Sequence, residues 1–321
     1  MICLLMFFLG ADEVLVPSFY RTPVIGIAQN GQWLLSDYRG SGIFRIDQQG
    51  AVVQEINYGS GQGPGEFKQA RFIFEFPKHD KLVVIGKHAD THVFQSSSGK
   101  FQEKILEFFP YSSAVKWDDD KFLLLWGKSL MNKESELGFF LFDLNGNEVE
   151  SWAVPKPFPD KQYIYEQMIG TTIDRAKNIY CGSMEKPELW VYRPKQKDHT
   201  VWKLKPPAGY IKPPTDKLSR SDMFNKPKLM AYFRRFTSIF NIFGFGKDYV
   251  IVVWRHANEQ GFTYDMYRLS DRVLLSANQT VEGTVYGVSD QHVITLLPEE
   301  EVLSETGEFS KFKLYPLPIV E

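Results

Sequence analysis

A short strand-like phrase returns six times along this chain. It reads Trp33-Leu-Leu-Ser-Asp37, Leu82-Val-Val-Ile-Gly86, Phe122-Leu-Leu-Leu-Trp126, Ile179-Tyr-Cys-Gly-Ser183, Val250-Ile-Val-Val-Trp254 and Val293-Ile-Thr-Leu-Leu297. The starting points 33, 82, 122, 179, 250 and 293 lie 49, 40, 57, 71 and 43 residues apart. A period of about 40–50 residues with several short strands per unit is the pattern of small sheets set around an axis, a β-propeller. The predicted fold is therefore all-β: a six-bladed β-propeller of four-stranded antiparallel blades.

The first unit shows the strand order most plainly. Val24 to Ala28, Trp33 to Asp37, Ile43 to Asp47 and Val52 to Ile56 read as four strands, with Asn30-Gly31 and Gln48-Gln49-Gly50 as tight turns. The recurring phrase is the second strand of each unit. The last unit lacks a strand: after Val293 to Leu297 one further strand remains, near Phe312 to Leu317. The beginning of the chain has one to spare, Glu13 to Val16. Placing that strand outermost in the sixth blade closes the ring and removes open sheet edges.

One insertion, 205–236, lengthens the gap between blades four and five. It opens with Pro206-Pro207 and Pro213-Pro214, which favour extended chain. Asn225 followed by Pro227 and by Leu229, Met230, Tyr232, Phe233 and Phe236 then predicts a short amphipathic helix. The helix is expected to pack on one face of the ring, or to cover the central channel as a lid.

Charge and cysteine content remove several function classes. Lys+Arg number 37 and Asp+Glu 39, a net charge of −2, without the basic footprint of a nucleic-acid binder. The two cysteines, Cys3 and Cys181, supply no disulfide framework. Residues 1–10 are almost wholly apolar and too short to span a bilayer. With Ala11 they read as the remnant of a secretory signal (1–11), ahead of one propeller domain over 12–321, which places the protein in the periplasm or outside the cell. The alternative is a buried first strand in a cytoplasmic protein. No stretch is long and apolar enough for a membrane span.

Between the first two units lies Gly59-Ser-Gly-Gln-Gly-Pro-Gly-Glu-Phe67. This linker resembles that of NHL-type propeller repeats, and its Gly-Gln-Gly-Pro-Gly-Glu-Phe phrase is similar to one found in bacterial six-bladed propellers of the TolB-like group. The resemblance implies an exported propeller. In physical terms the glycines allow positive φ and close backbone approach where the chain steps between blades, and Phe67 is expected to fill the gap.

The loops joining second and third strands gather on one face of a propeller, beside the inter-blade linkers. Concave sites with a few convergent polar groups are the default place for a ligand. The candidate ligand-binding residues there are Arg39, Glu66, Lys87, His88, Lys128, Arg255 and His256. Four of these loops begin with a basic residue, which suits a small anionic ligand; a partner protein is the other expectation. In His88-Ala-Asp90-Thr-His92, alternate residues of an extended chain point the same way, so His88, Asp90 and His92 are candidate metal ligands. No nucleophile motif is present, Cys181 falls in a predicted buried strand, and no cofactor is expected. The reading is an exported ligand- or protein-binding module without catalysis. The alternatives are a metal-assisted hydrolase or lyase of the propeller type and a sugar- or peptide-binding domain.

Overall fold

A computed structural model describes residues 12–17, 24–27, 31–36, 42–59, 63, 65–66, 69–86, 90–107, 111, 113–127, 137–153, 168–184, 186–216, 218–219, 222, 225–246, 248–257, 261–289, 291–297 and 309–317. Six four-stranded antiparallel sheets stand in a ring. Strand β1 (Asp12–Pro17) comes first in the chain but belongs to the last blade. Blade one holds β2 (Val24–Ile27), β3 (Trp33–Ser36), β4 (Gly42–Ile46) and β5 (Val52–Asn57). Blade two holds β6 (Ala70–Phe76), β7 (Lys81–Gly86), β8 (Thr91–Gln95) and β9 (Phe101–Leu106). Blade three holds β10 (Ser113–Lys116), β11 (Lys121–Gly127), β12 (Leu137–Asp143) and β13 (Glu148–Ala153). Blade four holds β14 (Met168–Ile173), β15 (Ile179–Ser183), β16 (Glu188–Arg193) and β17 (Asp198–Lys203). Blade five holds β18 (Ser238–Phe245), β19 (Tyr249–Arg255), β20 (Phe262–Arg268) and β21 (Val273–Val281). Blade six holds β22 (Thr284–Val288), β23 (His292–Leu296) and β24 (Phe309–Pro316), and its outer strand is β1, with Asp12 opposite Leu314 and Pro17 opposite Phe309.

The recurring phrase is the second strand of every blade, and the packing explains its composition. Successive residues of a strand point to opposite faces, and here both faces meet a neighbouring blade. Leu34 enters the core between blades one and two, whereas Trp33 and Leu35 enter the one between blades six and one. Leu82 and Val84 face blade one, while Val83 and Ile85 face blade three. Val250, Val252 and Trp254 face blade four; Ile251 and Val253 face blade six. Each junction between blades is thus one apolar cluster, and a second strand needs an unbroken apolar run rather than alternation.

The inner strands crowd the axis. A Cβ at Gly26 on β2 would lie 2.6 Å from the backbone oxygen of Ile73 on β6, so only glycine lets these strands approach. At the far end of blades one to five, the turn between third and fourth strands puts one residue in the left-handed region: Gly50, Gly99, Gly146, Lys197 and Arg272, with φ of 88, 70, 81, 54 and 60°. Asp47 and Asp143 fix two of these turns. Each carboxylate accepts hydrogen bonds from the backbone N–H groups two and four residues on, all at 2.9 Å.

The insertion forms helix α1 (Lys226–Phe233), capped by Asn225, whose side chain accepts from Lys228 N at 3.2 Å. Tyr232, Phe233 and Phe236 pack with Met184, Leu218 and Leu229. The helix therefore sits on the loop that follows β15 in blade four. The lid expectation is not met by the described residues: none from 205–236 lines the central passage.

Candidate functional site

The six inner strands surround a central passage of about 780 Å³. The chain enters each inner strand from the face that carries the inter-blade linkers. Arg71, near the start of β6, therefore stands at the loop-face end, and Glu75 and Lys116 at the opposite end. These three are the charged residues of the lining; Gln69, Ser113, Thr171, Thr172, Asn241 and Tyr286 add polar groups. Glu75 is neutralised from blade one by Arg45, whose Nη2 lies 2.7 Å from its carboxylate. Lys116 donates to the Glu75 carbonyl at 2.7 Å and sits 4.8 Å above the Phe76 ring. Burial lowers the pKa of this half-buried ammonium, with Asp119 as the largest opposing influence. Arg71 makes no ion pair or side-chain hydrogen bond among the described residues, so the passage carries a net positive charge.

Several residues singled out in the sequence are turned into the fold. Glu66 closes its own linker: its carboxylate accepts from Gly63 N at 3.0 Å, and its backbone N–H donates to Gly63 O at 2.9 Å. Among the described linker glycines only Gly65 has positive φ, at 76°. Gly59 and Gly63 serve differently: a Cβ at either would press on the Glu66 side chain, at 2.8 and 2.9 Å. Arg255 donates from Nη2 to Ser238 Oγ at 3.0 Å and to the Phe233 carbonyl at 3.2 Å, with its guanidinium 5.3 Å over the Phe233 ring. It anchors α1. Burial and the neighbouring charge of Arg234 lower its pKa. His256 is buried, with Nε2 2.9 Å from Thr263 Oγ1, and burial lowers its pKa against the pull of Asp265.

The metal candidates divide. His92 is fully buried in β8, its ring 5.9 Å from that of Phe101, and burial lowers its pKa. Asp90 lies just before the strand, and its charge acts on His92 in the opposite sense. His88, Arg39, Lys87 and Lys128, like Phe67 and the apolar 1–11 segment, lie outside the described residues. Among the described residues, no three His, Cys, Asp or Glu side chains come together as a metal site. The Cys181 thiol is buried beside Thr171 and pushed up to about 12, so it is an inert core group. No described helix is long and apolar enough to cross a membrane.

The passage cations Arg71 and Lys116 are not among the loop candidates of the sequence because they lie in inner strands. The available signal was the pattern Arg71-Phe-Ile-Phe-Glu75, where charged residues bracket an apolar strand that faces an axis rather than a core.

No known protein family matches the chain in sequence, and no curated protein does either. Solved structures do match in fold. A member of the DUF4221 family from Bacteroides vulgatus ATCC 8482 superposes with a TM-score of 0.67 at 13% identity, over 96% of this chain and 97% of that one. A candidate exported protein of Bacteroides fragilis NCTC 9343 gives 0.62 at 12% identity, over 95% and 94%. The WD40 repeats of RRP9 give 0.58 at 7% identity, over 95% and 98%. At these identities the likeness is one of architecture, and the chain is a six-bladed β-propeller.

Proposed function

We propose that this chain is an exported binding module of the NHL/TolB-like kind, which takes a protein segment or a small anionic ligand on its loop face and performs no chemistry. The observation that carries this reading is the central passage, which has a positive lining with Arg71 toward the loop face. The basic residues Arg39, Lys87 and Lys128 at the starts of loops on that face support the same charge preference. The engagement of Glu66, Arg255 and His256 in internal contacts argues against a catalytic constellation built from them. The fold likeness to a candidate exported protein, the apolar 1–11 segment and the Gly59–Phe67 linker support export and the subgroup.

Two measurements test the reading together. Fluorescence anisotropy with a labelled oligoglutamate peptide should show binding that weakens about tenfold or more in Arg71→Ala, the loss expected for one charge-assisted contact. Elemental analysis of the purified protein should show no stoichiometric metal. Stoichiometric zinc or calcium that disappears in His88→Ala, together with hydrolysis of a lactone or ester panel, would replace this reading with a metal-assisted hydrolase.

A further inference from the structure

At most junctions, a side chain spans the gap between neighbouring blades on the face opposite the loops. Arg45 of blade one reaches Glu75 and Ser96 of blade two. Lys81 of blade two donates to the Leu144 carbonyl of blade three at 3.1 Å. Lys177 of blade four donates to the Trp117 carbonyl of blade three. Gln48 of blade one meets Gln291 of blade six at 3.5 Å. At the junction of blades four and five the crossing contact is instead a ring contact, Arg272 of blade five over Trp202 of blade four. Arg193 turns back within blade four and binds Asp198 through two hydrogen bonds, at 2.6 and 2.7 Å. A pocket of about 860 Å³ remains open there.

Two cations of this pocket stand outside any ion pair among the described residues. Its lining holds Asp174, Arg175, Arg193, Asp248 and Arg272. Asp174 is committed to its own turn: it accepts from Asn178 N at 2.8 Å, from Asn178 Nδ2 at 2.7 Å and from the Tyr180 hydroxyl at 2.9 Å. The charge of Arg193 is met by Asp198. Asp248 faces Arg268 across the turn, and Arg268 is itself paired with Asp271 at 2.6 Å. Arg175 and Arg272 have no carboxylate within ion-pair distance among the described residues. Arg272 is held in place twice over: its backbone is left-handed at φ 60°, and its guanidinium lies 5.8 Å over the Trp202 ring. Tyr180 and Tyr249 add aromatic walls, and Val191 and Leu269 an apolar floor.

We propose that this pocket is a second binding site, specific for an oxyanion held between Arg175 and Arg272, with an apolar or aromatic body resting on Tyr180, Tyr249 and Leu269. Planar guanidinium groups suit carboxylate and phosphate alike. The site is separate from the loop face and does not depend on the reading given above for that face. Isothermal titration calorimetry with citrate and with inorganic phosphate tests it and separates the two anion types. At least one of them should bind, and Arg175→Ala and Arg272→Asn should each weaken it about tenfold or more. Asparagine is chosen at 272 because it tolerates left-handed backbone. Both positions are exposed, and an unchanged melting temperature checks that the variants are folded. Arg71→Ala should leave this affinity intact. Absence of binding by both anions, or binding equal in the wild type and the Arg175/Arg272 double variant, overturns the proposal.

Discussion

Arg45→Ala tests how the blades are held together. The Arg45 guanidinium leaves blade one and meets Glu75 of blade two at 2.7 Å, with side-chain exposures of only 11% and 7%. The same guanidinium donates to Ser96 Oγ at 2.9 Å and to Gln54 Oε1 at 3.0 Å, and Ser96 donates to Glu75 at 2.6 Å. Truncating Arg45 takes the guanidinium away from a buried carboxylate that keeps its bond from the Ser96 hydroxyl. Breaking such a pair costs about 3–5 kcal/mol. Unfolding entropy is about 2.1 cal/mol/K per residue, so 321 residues give about 0.7 kcal/mol/K, and the loss amounts to about 4–7 °C in Tm. Scanning calorimetry at pH 7 reads this directly. The cycle is completed with Glu75→Leu and the pair Arg45→Ala/Glu75→Leu. The double variant should lose clearly less than the two single losses added together, because no lone charge is left behind. A fall below 1 °C for Arg45→Ala, or strict additivity in the cycle, would refute the argument that this pair locks the two blades.

Other outcomes follow from single features. Asp265 is buried beneath Trp254 Nε1 and Asn278 N, at 2.8 and 2.7 Å, and burial raises its pKa above the usual carboxylate value. Its contribution to stability is therefore full below the unfolded carboxylate pKa and is lost as pH rises through the folded one; urea midpoints across that interval should slope less in Asp265→Asn. His92 behaves oppositely: burial lowers its pKa, so its contribution is present above the ordinary histidine value and is lost as pH falls through the folded one. His92→Phe should flatten the acid limb of the stability–pH curve. Gly26→Ala places a methyl group 2.6 Å from the Ile73 carbonyl and should cost about 1–3 kcal/mol by denaturant titration. Deleting residues 12–17 strips the outer strand from β24, and size-exclusion chromatography should show association through the bared edge.

The ring was legible because its signal is repeated and physically simple. A second strand squeezed between two neighbours must be apolar at every position, and six such runs survive any blurring of their ends. The closing strand was legible by arithmetic, since the last unit lacked one and the first residues offered one. The cap at Asn225 was readable from Asn followed by Pro. The site was less legible because a polar loop residue looks the same whether it faces a ligand or its own chain. Glu66 and Arg255 carry charge at promising positions, yet one folds onto a glycine N–H and the other onto a helix carbonyl. The blade-four/five pocket was invisible for a related reason. Beside it Arg193 bonds within its own blade, a choice of partner that composition and period do not encode.

The pairing of Asp12–Pro17 with Phe309–Pro316 has a consequence for how the molecule comes into being. Strands nearly three hundred positions apart must meet before the circle is whole, so the entropy of closing that span is met last. While the polypeptide is still emerging from a ribosome, five blades can assemble in turn, but the sixth has to wait for the tail. Until then the molecule is an open arc, and it becomes a closed ring only after its last strand arrives.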